Sequence, residues 1–164
     1  MKSCALLLAL LKIPQSGQML VGTVQKIDND QIQVKGRDGL VTFRADEHIT
    51  VAKVKKANDL LLLAVGDEVR VNYYGEAPFI AVNISVKITI SGAITQTATN
   101  HLTISRSGTE DAAMPERKGG VFVFLNPTTK PGVVRDQLKV GRRVHVSGWD
   151  TGDGVVEAEK VVID

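Results

Sequence analysis

The chain has 164 residues, room for one domain or two small ones, and its apolar fraction of 43% is that of a folded rather than a disordered protein. Twenty Lys and Arg against eighteen Asp and Glu leave a net charge of +2 with no strong excess in either half, which argues against a dedicated nucleic-acid binder. The single cysteine, Cys4, excludes an internal disulfide and a cysteine-rich metal site, and no apolar run reaches the roughly 18 residues of a membrane-spanning helix.

The chain opens with Met1-Lys2-Ser3 and the apolar run 4–11, followed by Lys12 and Pro14. A charge before a short apolar run has the form of an export signal, although no small-x-small cleavage site follows. Residues 1–18 therefore read either as a signal-like segment or as a helix packed on the rest of the protein. The first reading places the protein outside the cytoplasm, in the periplasm or secreted; the second leaves it cytoplasmic.

Alternation of apolar and polar residues begins at Met19. Residues 21–27 and 31–35 form two strands about the turn Asp28-Asn29-Asp30, with Ile32 and Val34 on one face. Gly36-Arg37-Asp38-Gly39 is a hairpin signal leading to a third strand at 40–44. Residues 52–63 form the best helix candidate, with Lys53, Lys55 and Lys56 outward and Leu60 to Leu63 toward the core. Gly66 ends it, and strands follow at 68–73 and 79–87.

Much of this pattern then recurs. Leu63-Ala64-Val65-Gly66-Asp67-Glu68-Val69-Arg70-Val71 returns as Leu138-Lys139-Val140-Gly141-Arg142-Arg143-Val144-His145-Val146. Gly22-Thr23-Val24 returns as Gly92-Ala93-Ile94, and Ala81-Val82-Asn83-Ile84 as Ala158-Glu159-Lys160-Val161. The spacing between copies grows along the chain, as loop insertions after a duplication require. The largest insertion is 107–120, a polar stretch containing Pro115 that reads as an exposed loop. Five strands per copy, with a helix or long loop between the third and fourth, is the order of an OB-type barrel.

These motifs resemble a family of bacterial repeats known only as a domain of unknown function, usually exported and built as small five-stranded barrels. The resemblance spans about residues 20–163 and implies an all-β fold. Two tandem OB-like barrels are expected at 19–88 and 89–164, with a short helix in the first and the apolar segment before them. It brings no catalytic residues.

Candidates for chemistry are few. Asp46-Glu47-His48 alternates across an extended chain, so the three cannot converge on one ion. Asp150-Thr151-Gly152-Asp153-Gly154 is too short for a calcium loop and reads as a hairpin tip. Phe122 and Phe124 share one phase of a strand and are assigned to the core. Tyr73, Tyr74 and Trp149, at strand ends, and the basic cluster Lys139, Arg142 and Arg143 are the candidate ligand or partner contacts. The sequence calls for no cofactor, no metal and no enzymatic activity. It favours a structural or protein-interaction module, extracytoplasmic and capable of self-assembly. The second reading is an OB-type module for oligonucleotides or oligosaccharides.

Overall fold

The computed structural model describes residues 17–53, 55–106, 120–130 and 135–164. Their alternating patterns become ten strands: β1 (Gln18–Ile27), β2 (Gln31–Gly36), β3 (Gly39–Lys53), β4 (Lys55–Ala57), β5 (Glu68–Tyr74), β6 (Phe79–Thr97), β7 (His101–Arg106), β8 (Val121–Lys130), β9 (Arg143–Asp150) and β10 (Val155–Ile163). The protein is all-β. Among the described residues no helix is long and apolar enough to cross a membrane. Residues 1–16 of the signal-like or packing segment and residues 107–119 of the insertion lie outside the described residues, and Gln18, the last residue of that segment, already opens β1.

The pairings close on themselves twice. β1 pairs with β2 and β5, β2 with β3, β5 with β6, and β3 returns to β6 in parallel. The second circuit runs from β6 to β7, to β8, in parallel to β10, to β9 and back to β6. Closure leaves few unpaired strand edges, which suits short strands of this kind. β6 belongs to both circuits: its first part pairs with β3 and β5, its second with β7 and β9.

Each circuit wraps its own core. Val24, Ile32, Val34, Phe43, Val69, Val71 and Ile84 fill the first, joined by Ile49, Val51 and Leu60. Ile90, Ile94, Leu102, Ile104, Val121, Val123, Val144, Val146 and Val156 fill the second. These are mostly β-branched residues, which pack well on a pleated surface.

The same hydrogen bonds fix the turn before the fourth strand of each circuit. Gly66 takes φ +96° and its N–H donates to the Val24 carbonyl, while Val24 N–H donates to the Asp67 carbonyl. In the second circuit Gly141 takes φ +89°, its N–H donates to Ile94, and Ile94 N–H donates to Arg142. The first turn is fastened further. The Asp67 carboxylate accepts from Ala64 N–H at 2.7 Å and meets Lys53 Nζ at 2.7 Å, with both side chains under a third exposed. Arg142 stands at the matching place and cannot accept these bonds. Asp67→Ala is therefore expected to cost about 1–3 kcal/mol, read by urea denaturation, and Arg142→Ala well under 1 kcal/mol.

The helix expected at 52–63 is not formed. β3 runs to Lys53, β4 follows, and only Leu60–Leu62 coils, as one 3-10 turn whose N-cap Asp59 accepts from Leu61 N–H. Thr50, Val51 and Ala52 are held extended by parallel pairing with Asn83, Ile84 and Ser85 of β6. Tertiary pairing thus overrides the lysine spacing that suggested a helix face.

Candidate binding face

β6 serves as a ruler for the residues singled out by sequence. Tyr73 lies opposite Ala81, Trp149 opposite Lys87, and Arg143 opposite Ala93. Six residues of strand separate each from the next, about 20 Å at the usual rise. The structure therefore places the candidates in three regions rather than one.

Tyr73 packs edge-on against Phe43 and Phe79, each at 5.0 Å between centroids, and closes one end of the first core. Tyr74 is exposed, and its hydroxyl donates to the Asp46 carboxylate at 3.2 Å, a bond that raises the phenol above its ordinary pKa. Asp46 also accepts from the His48 N–H. Lys139, Arg142 and Arg143 are exposed around the Gly141 turn, and Arg143 approaches Asp164 at 4.0 Å.

Trp149 is buried, 8% exposed, and belongs to neither core. Its ring lies where the two circuits meet, with Arg70 Cζ at 5.5 Å and Lys87 Nζ at 5.6 Å from the centroid. Both cations are tied across the junction: Arg70 to Glu157 at 2.8 Å, and Lys87 to Glu159 at 2.7 Å and Glu68 at 2.9 Å. The bond from Glu159 raises the Lys87 pKa, partial burial opposes it, and Glu68 adds to the rise. A lysine held above its unfolded value contributes stability fully below about pH 10, and loses it as pH climbs through the folded value. The stability difference between the wild type and Lys87→Met should thus be constant through neutral pH and shrink only in alkali. With the glutamates half exposed it is expected to stay below about 1 kcal/mol. Denaturation at a series of pH values checks this.

The adjacent turn is built on Asp150, whose carboxylate accepts from Gly152 N–H, while Gly152 and Gly154 take φ +87° and +79°. Asp150 is buried rather than displayed at a tip.

The assignment of Phe122 and Phe124 to the core is overturned. Val121, Val123 and Leu125 carry the inward phase of β8, and the two phenylalanines face outward, half-buried. Cross-strand register decides it: Leu102 opposes Val123 and Ile104 opposes Val121, so the branched residues interlock inside. Outside, two rows cross three strands. One is Thr103, Phe122, Val155; the other is His101, Phe124, Glu157. The His101 ring stacks on Phe122 at 4.3 Å between centroids. His101 also lines a cleft of about 160 Å³ with Thr97, Leu125 and Leu138, small beside the 300 Å³ or more of a typical ligand pocket. In the first circuit the residues paired at the corresponding places are Gln33 with Thr42 and Gln31 with Arg44.

A Ser91-His145-Asp164 chain also emerges, with Ser91 Oγ 2.6 Å from His145 Nδ1 and His145 Nε2 2.8 Å from Asp164. The His145 backbone is paired on both sides, with Ser91 and with Val162. His145 and Asp164 are about half exposed, so water competes for each bond. The chain ties β6, β9 and the end of β10 together across the sheet surface. Its members are far apart in sequence, so only strand register could have revealed them. Among the described residues no group of three or more His, Cys, Asp or Glu gathers to hold a metal ion.

The described chain is thus an all-β protein of two closed strand circuits, with an aromatic face on one of them. Residues 91–162, from the second part of β6 through β10, match the family described as "Domain of unknown function (DUF5666)". The match covers one copy, in the second circuit. No curated protein matches the chain.

Proposed function

We propose that the chain is a non-enzymatic binding module of two tandem OB-type barrels, 19–88 and 89–164, which engages its partner through the outer face of β7 and β8. The strand order of each circuit, with its parallel closing pair, and the shared turn hydrogen bonds support the tandem reading. The observation that carries the binding reading is the outward display of Phe122 and Phe124 at the positions where the first circuit carries Thr42 and Arg44. In OB-type barrels the second and third strands form the usual ligand platform. The extracytoplasmic location rests on the signal-like start of the sequence and is tested by mass spectrometry of the native N-terminus. Self-association is read by light scattering of the full chain.

Photo-crosslinking in the producing cell tests the face itself. A benzoyl-phenylalanine placed at 122 or 124 should give adducts, and one placed at 42 should not. Adducts at 42 with none at 122 or 124 would overturn the assignment.

A further inference from the structure

We infer that the apolar run 4–11 turns back on its own chain and covers the outer face of the first circuit at Met19, Val21, Tyr74 and Ile80. This goes beyond the β7–β8 reading and does not depend on it. The internal repeat supplies the first argument. Tyr74 and Trp149 hold the same place in the two circuits. Tyr74 pairs with Ile80, and Trp149 with Glu157. One step beyond the Gln18–Tyr73 pair, Tyr74 comes level with Gly17, as Trp149 is level with Lys87. Trp149 is 8% exposed, with Lys87 and Arg70, from the chain that precedes its circuit, set over the ring. Tyr74 is 39% exposed, and the chain that precedes its circuit is residues 1–16.

The second argument is chemical match. In the second circuit the covering cations are answered by Glu157 and Glu159. Ile80 and Val82 hold those places in the first circuit, and Met19 and Val21 stand where the second has Thr89 and Ser91. Leu20 and Val24 pack on the first core, so Met19 and Val21 face outward, 60% and 43% exposed. Met19 opposes Asn72 and is therefore diagonal to Tyr74, about 7–8 Å away. A charged cover answered by glutamates has become, in the first circuit, an apolar patch on three neighbouring strands. The run Cys4 to Leu11 carries five leucines and no charge, which suits that patch. Six residues lead from Leu11 to Gly17, about 20 Å of extended chain, enough to turn back onto β1.

The test is hydroxyl-radical footprinting of the full chain, compared with a variant in which Leu6, Leu7, Leu8, Leu10 and Leu11 are all replaced by serine. Met19 and Tyr74 should label about threefold or more faster in the variant, as for a site covered most of the time in the wild type. Leu61, exposed elsewhere on the first circuit, should label equally in both, and Trp149 fluorescence should be unchanged. A second measurement does not depend on the variant. Benzoyl-phenylalanine placed at 21 in the otherwise native chain should link within the chain to residues 4–11, and at 40, equally open to solvent, it should not. Equal labelling of Met19 and Tyr74 in the two proteins, or equal links from 21 and 40, overturns the proposal. Links between chains, with protection lost on dilution, overturn it in favour of a second copy as the cover. A natively produced protein whose mass lacks residues 1–16 also overturns it, and leaves the β7–β8 reading untouched.

Discussion

Replacing Gly148 by alanine is expected to destabilise the second circuit by about 3 kcal/mol, a large part of the stability of an ordinary small domain. Gly148 is buried in the middle of β9, opposite Ile88 on one side and Ala158 on the other. A Cβ there would strike the Glu157 carbonyl oxygen and come within 2.9 Å of the Ala158 Cα. Both are backbone atoms held in ladders, so no side chain can swing aside. The bulge in β10 between Ala158 and Lys160 brings that strand close, and glycine is the residue that tolerates such an approach. Gly141→Ala makes the internal comparison. Nothing lies within 4 Å of its Cβ, and only the φ of +89° resists substitution, at about 1–2 kcal/mol. Urea denaturation of both variants should rank Gly148→Ala as the more damaging. The opposite order would show that β9 and β10 are not packed this closely.

Trp149→Ala is expected to cost about 3–5 kcal/mol, the range for removing a buried tryptophan. The indole fills the junction between the circuits and is faced by two cations, so its loss leaves Arg70 and Lys87 beside a void. Because the residue belongs to neither core, amide chemical-shift changes should centre on Arg70, Lys87 and Glu157 rather than on Leu102 or Val34. Stability is read by circular dichroism, and the fluorescence of Trp149, the chain's one tryptophan, reports the junction in the wild type. A direct ligand contact would behave differently, losing affinity at unchanged stability. A cost below about 1 kcal/mol would mean that the indole is not enclosed.

The turn at Gly66 and Gly141 was readable from sequence because the repeated apolar and glycine positions are themselves what the hydrogen bonds require. β8 was not readable in the same way. Val121-Phe122-Val123-Phe124-Leu125 is apolar in both phases, so alternation is silent about which phase faces in. Leu102 and Ile104 on the neighbouring strand settle it, and that is register information. Residues 52–63 misled for a related reason. Lysines at 53, 55 and 56 fit a helix face as well as a strand, and the parallel partner on β6 is some thirty residues further along the chain. For Trp149 the sequence shows only that it stands near the end of its strand. In space that strand end abuts the first circuit, which a single-barrel reading of the second half does not contain. The Ser91, His145 and Asp164 contacts depend on register in the same way.

β6 also sets a phase. Ile84 and Val86 point into the first core, and Ile88, Ile90 and Ile94 pack on the second, all at even positions of one unbroken strand. The two halves therefore have no linker to swivel on: pleat parity fixes the rotation of one about the other. Inserting a single residue between Lys87 and Thr89 would turn every inward side chain beyond it outward, relative to the half already folded. Inserting two would preserve parity and lengthen the spacing between the halves by about 7 Å. A length change that a flexible tether would absorb becomes, in this protein, an odd-or-even question.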